Sequence, residues 1–118
     1  IQEYMRSRGL KTTGDLQLHF NEKVFAILRK LNKKPIGWDE ILEPGLTKDA
    51  VIQSWRGKEA LVQSAKESRY AILSRGYYLD LQYEASRYYL NEPIDMPTDL
   101  TLEQQNFIIG GEACMWSE

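Results

Sequence analysis

Histidine and cysteine each occur once in these 118 residues, and proline only four times. A lone cysteine, Cys114, can form no disulfide within the chain and builds no thiolate metal site. One histidine leaves a single candidate for any Ser-His-Asp triad or imidazole-rich metal centre. That residue, His19, stands in "LQLHFNEKVFAIL", a helical pattern in which a surface or packing histidine is the ordinary reading. An excess of charge is lacking too: Lys and Arg number 15, Asp and Glu 17, for a net charge of -2. No basic run forms a phosphate-binding stripe, so nothing points to nucleic acid as a partner. No apolar run is long enough to span a bilayer, and no signal peptide is recognisable. Ile1 is not an initiator methionine, so the chain reads as a piece of something longer and its compartment stays open. What is present is ordinary for one globular domain: 42% hydrophobic and 27% charged residues. Carboxylates and aromatics are the chemical resource.

The chain divides into alternating helices and strands. Ile1 to Arg8 reads as the end of a helix capped by Gly9. A second helix starts near Thr13 to Asp15 and runs to about Leu31, with Leu16, Phe20, Val24, Ile27, Leu28 and Leu31 forming an amphipathic stripe. "PIGW" is a short strand, "AVIQSW" a second, and "YAILS" a third. "GKEALVQSAKESR" is a helix with Ala60, Leu61 and Ala65 inward. Arg75 to about Asp99 is rich in tyrosine without a clear period, a long loop of the kind that carries function. "TLEQQN" supplies a turn or two of helix before "FIIGGEACMW", a fourth strand. Helix–strand alternation with nearly continuous apolar strands predicts a parallel α/β fold.

Trp38-Asp39-Glu40, Trp55-Arg56, Tyr77-Tyr78-Leu79-Asp80 and Trp116-Ser117-Glu118 all fall at or just beyond strand C-termini. A parallel sheet brings those ends to one side, which in a barrel is where active sites sit. Taken singly, a strand tryptophan is ordinarily core, and the carboxylates could be a solvated loop. All three tryptophans at strand ends is a pattern that suits a sugar site, with rings stacking on a pyranose and carboxylates accepting from its hydroxyls. From the residues alone, a carbohydrate site and a plain packed core both stay open.

"KKPIGWDEIL", "VIQSWRG", "GYYLD" and "IIGGEACMWSE", in this order and spacing, resemble the family 20 glycoside hydrolases, the β-N-acetylhexosaminidases. "IQEYMRSRGL" is similar to the family's segment just downstream of its catalytic loop, so the likeness covers essentially the whole chain. The resemblance implies the C-terminal half of a (β/α)8 TIM barrel. Residues 1–118 would be a partial catalytic domain, from about the fourth helix to the eighth strand. It implies hydrolysis of terminal N-acetylglucosamine or N-acetylgalactosamine from glycans by substrate-assisted retention, an exception to the two-carboxylate scheme. The substrate's own acetamido oxygen attacks the anomeric carbon. The family's adjacent Asp-Glu pair, which orients the acetamido group and protonates the leaving oxygen, would lie upstream of Ile1 and is not in this sequence. Asp39-Glu40 is similar only on paper.

The resemblance further implies that Tyr78, rather than Tyr77, donates its hydroxyl to the acetamido oxygen. Trp38, Trp55 and Trp116 would wall the pocket, and Asp80 and Glu118 would accept from the sugar's 4- and 6-hydroxyls. Glu40 and Glu112 are left between an orienting and a structural role; Asp39 and Arg56 carry no assignment. No metal or other cofactor is implied. The partners implied are N-acetylhexosamine-containing glycans and the remaining half of the same barrel, whose absence would leave "PIGW" and "FII" as open sheet edges. The family is typically secreted, periplasmic or lysosomal. An independent half-barrel acting as a carbohydrate-binding or assembly module is the competing expectation, and in either case the chain by itself is expected to lack glycosidase activity.

Overall fold

The computed structural model describes residues 1–117. Four strands, β1 (Ile36–Trp38), β2 (Val51–Ser54), β3 (Ala71–Leu73) and β4 (Ile108–Gly111), form one parallel sheet in the order β1-β2-β3-β4. Helices α1 (Gln2–Ser7), α2 (Thr13–Lys30), α3 (Glu59–Lys66), α4 (Ala85–Tyr89) and α5 (Leu102–Gln105) complete the chain, with 3₁₀ turns at Asp39–Ile41 and Leu79–Leu81. β2 to β3 and β3 to β4 are joined through helices, the repeating unit of a (β/α) barrel of which this sheet is an arc, whereas β1 to β2 is joined by a loop holding only the first 3₁₀ turn. Among the described residues β1 and β4 pair on one side only. Among the described residues no helix is long and apolar enough to cross a membrane.

The alternation of burial along the strands says which face is covered. In β2, Ile52 and Ser54 are fully buried while Val51 and Gln53 are half-exposed; in β3, Ala71 and Leu73 are buried and Ile72 is not. The buried face meets α3 through Leu61 and Ala65 and α2 through Phe25, closing a core with Leu46 and Ala50. Full burial of Ile52, Leu61 and Leu73 contributes about 1.5–3 kcal/mol each. Arg69, nearly as buried, extends the core's edge by donating to the carbonyls of Leu46 and Thr47, which ties the end of α3 to the loop before β2.

Four expectations are corrected. The cap of α2 is Thr12, one residue earlier: its hydroxyl accepts from Asp15 N at 3.0 Å, and the Asp15 carboxylate accepts from Thr12 N at 2.8 Å. The stripe on α2 is not one buried face. Phe25, Leu18 and Leu28 meet the core, whereas Phe20, Ile27 and Leu31 are 65%, 58% and 62% exposed. The helix is apolar on two sides, and spacing alone does not say which of them meets this sheet. The long aromatic segment is also not structureless, since it holds a 3₁₀ turn and α4. On α4 only Tyr88 is even half-buried, so no apolar period marks it in the sequence. The fourth strand stops at Gly111, where Gly110 (φ +128) breaks the regular ladder, and resumes only as a single bridge between Cys114 and Tyr78.

Candidate active site

Because all four strands run the same way, their C-terminal ends open on one side. There a cavity of about 390 Å³ is lined by Trp38, Glu40, Trp55, Tyr78, Asp80 and Trp116. Five of the six residues singled out in the sequence thus share one cavity. The sixth, Glu118, lies outside the described residues. Trp38 is the last residue of β1, Trp55 follows β2 directly, and Tyr78 and Asp80 ride the turn after β3. Trp116 follows β4, with its ring centroid 6.2 Å from that of Trp38 at an interplanar angle of 48°. The cavity is therefore walled from the first and last strands at once.

Tyr78 is held on two sides. Leu79 N donates to Cys114 O at 2.8 Å and Cys114 N to Tyr77 O at 3.1 Å, stitching its turn to the β4 extension. From the other side, the Tyr88 hydroxyl donates to Tyr78 O at 2.9 Å and accepts from Tyr83 N at 2.9 Å. Burial pushes the Tyr78 phenol above its ordinary range, and negative charge at Cys114, Glu112, Asp80 and Asp39 adds to that. The phenol is thereby kept protonated, a hydrogen-bond donor at neutral pH. Its neighbour Tyr77 turns the other way, packing against the core with its hydroxyl on Asn91 O. Asp80, which lines the cavity, accepts from Trp116 N at 3.3 Å through one carboxylate oxygen.

The carboxylates after β1 have structural partners. Asp39, 3% exposed, accepts from Trp55 N and Arg56 N, each at 3.2 Å, and from Arg56 Nε at 2.6 Å. Glu40 reaches the Trp55 indole, with Nε1 at 3.0 and 3.1 Å from its two oxygens. Glu112 stands apart from the cavity lining, accepting from Gln53 Nε2 and from Ser74 Oγ, and so cross-links β2, the end of β3 and β4. Cys114 is buried, and burial raises its thiol pKa, so it is not an activated nucleophile. His19 is occupied on α2 by the hydroxyl of Tyr4, at 2.8 Å. Among the described residues no three His, Cys, Asp or Glu side chains gather as a metal site. The links made by Glu40 and Tyr88 were not foreseeable from spacing, because each joins residues ten or more positions apart on different elements.

Residues 1–118 match the family described as "Glycosyl hydrolase family 20, catalytic domain". A β-hexosaminidase of Porphyromonas gingivalis is 32% identical over 99% of this chain and 17% of its own length. The human β-hexosaminidase subunit beta is 32% identical over 100% of this chain and 22% of its own length. Among solved structures, Flavobacterium johnsoniae chitobiase superposes with a TM-score of 0.90 at 38% identity, over 98% of this chain and 19% of that one. A Vibrio harveyi exo-β-N-acetylglucosaminidase in complex with N-acetylglucosamine gives 0.83 at 26% identity, covering 98% and 21%. The chain thus spans about a fifth of the length of the proteins it matches.

Proposed function

The chain belongs to glycosyl hydrolase family 20, and from that premise we propose that it forms the sugar-recognition side of a β-N-acetylhexosaminidase barrel, from about the fourth helix to the eighth strand. The observation that carries the reading is the convergence of three tryptophans, a protonated tyrosine and an aspartate on one cavity. The exposed side of α2 (Phe20, Ile27, Leu31) and the half-paired strand β1, with Ile36 55% exposed, supply a surface for the rest of the barrel.

In this reading a terminal N-acetylglucosamine or N-acetylgalactosamine enters the cavity with its ring against the tryptophans. Tyr78 donates to the acetamido oxygen, holding it near the anomeric carbon and stabilising the charge that develops as it attacks. The tryptophans exclude water and shape a slot for the acetamido methyl. Asp80 and Glu118 accept from the 4- and 6-hydroxyls, so Glu118→Gln should chiefly raise KM and blur discrimination at those positions. Leaving-group protonation falls to the family's Asp-Glu pair. Asp39-Glu40 is not that pair, because both carboxylates are engaged with Trp55 and Arg56.

The test is turnover of chromogenic N-acetyl-β-glucosaminide and N-acetyl-β-galactosaminide by a full-length barrel carrying this segment, beside residues 1–118 alone. Turnover is expected from the first and none from the second. No hydrolysis of either substrate by the barrel removes the hexosaminidase reading. Saturable N-acetylglucosamine binding by residues 1–118, with an inactive barrel, would favour a stand-alone binding module instead.

A further inference from the structure

The tripeptide Trp38-Asp39-Glu40 contributes one aromatic wall, yet its two carboxylates reach across to the neighbouring strand end. Trp55 is 37% exposed and belongs to no strand, so packing covers it only in part. A half-exposed indole at a loop position ordinarily samples several rotamers. Here four contacts restrain it. Asp39 accepts from the backbone N–H of Trp55 and of Arg56, and pairs with the Arg56 guanidinium, fixing where the Trp55 Cα sits. Glu40 then takes the indole N–H with both oxygens, fixing where the ring points. A carboxylate acceptor makes this a charge-assisted bond, stronger than a neutral one.

We infer that Glu40 is a positioning residue that aims the Trp55 indole into the cavity and so sets the width of the acetamido slot. It acts on the sugar through Trp55, with Asp39 as the backbone anchor of the same clamp. The inference deepens the hexosaminidase reading and rests on it for the ligand, but the clamp itself can be observed without any sugar. The 3₁₀ turn at Asp39–Ile41 is what allows it, since it bends the chain directly after Trp38. An extended continuation would send the side chains of 39 and 40 to opposite faces. Gly37 serves the same bend, because a Cβ there would press on Ile41 of that turn.

Two measurements test it. In ¹H–¹⁵N spectra of residues 1–118, the indole peak lost in Trp55→Phe identifies Trp55. Glu40→Leu is expected to move that proton upfield by roughly 1 ppm while the Trp38 and Trp116 indole peaks hold. Glu40→Gln, which keeps one acceptor oxygen, should restore most of the shift. In the full-length barrel, Glu40→Leu should cut kcat/KM for an N-acetylglucosaminide about tenfold. It should also narrow the preference for N-acetyl over N-propionyl substrate, which a mere loss of folded protein would leave alone. In a Trp55→Phe background Glu40→Leu should add little, the signature of two residues acting as one unit. An unmoved Trp55 indole peak in Glu40→Leu overturns the clamp. Additive effects of the two substitutions, or an unchanged N-acyl preference, overturn its role in setting the slot. If the wild-type barrel turns over neither substrate, the hexosaminidase reading falls, while the indole shift still decides the clamp.

Discussion

In the proposed hexosaminidase reading, Tyr78 would be the one phenol of this chain that enters the chemistry. On that reading its hydroxyl gains importance only as charge develops on the acetamido oxygen, so Tyr78→Phe in the full-length barrel should lower kcat about a hundredfold with KM within a few-fold. Steady-state kinetics on a chromogenic N-acetylglucosaminide read this directly, and an unchanged kcat would take Tyr78 out of the reaction. Because burial raises the phenol's pKa, its proton should persist through the neutral range. The sign for stability follows: the folded state favours the protonated form, so this stability is fully present below the unfolded value of about 10 and is lost as pH rises from there through the higher folded pKa. Comparing denaturation of wild type and Tyr78→Phe across that range should show a shallower alkaline loss in the variant. At this scale the sequence was informative wherever a motif carried its own spacing. The family resemblance, whose Tyr-x-Asp motif "GYYLD" matches, singled out Tyr78 over Tyr77, and the structure has Tyr78 lining the cavity while Tyr77 packs against the core. Glu40 carried no such marker, since its partner is chosen by how two strand ends meet.

Elements bind the site through a few crossing contacts. Leu61 is the fully buried anchor of α3, and Leu61→Ala should cost about 2–5 kcal/mol in urea denaturation. A loss under 1 kcal/mol would mean that α3 is not part of the core. A Cβ at Gly111 would overlap the Tyr77 ring, which is itself tied to Asn91. Gly111→Ala should therefore cost about 1–3 kcal/mol by overpacking, although alanine suits a strand better than glycine does. Arg29 on α2 grips Asp49 before β2 with two bonds of 2.7 and 2.8 Å, and Thr47 adds a third. These hold the Asp49 carboxyl well below the usual range. Its stabilisation is present above the unfolded pKa near 4 and is lost as pH falls further. Asp49→Asn should flatten that acid limb of the stability curve, an equal slope in both proteins being the contrary result. Strand and helix order was readable because α2, α3 and β1 to β3 carry clear apolar patterns. The extent of β4 was not, since "FIIGGEACMW" is apolar almost throughout, while the ladder shifts register around Gly110 and its regular pairing stops at Gly111. The α2 stripe misled for a related reason: Phe20, Ile27 and Leu31 are as regularly spaced as Leu18, Phe25 and Leu28.

At the scale of the molecule, the parallel sheet explains why residues scattered from 38 to 116 form one cavity, and why the strand ends raised a sugar site as one of two open readings that only the family resemblance narrowed. Its curvature was not written in any short motif. Neighbouring strands lie roughly 4.8 Å apart, so a flat sheet would hold β1 and β4 about 14 Å from each other. The rings of Trp38, which ends β1, and Trp116, beyond the end of β4, are nonetheless 6.2 Å apart. The two indoles act as a caliper on the sheet's bend. A sugar wedged between them would pull on the whole arc, and any change that flattened the arc would open the jaws without altering a single residue in them. Near-ultraviolet circular dichroism of this indole pair would thus read a mechanical property of the fold, the stiffness with which four short strands hold a mouth closed.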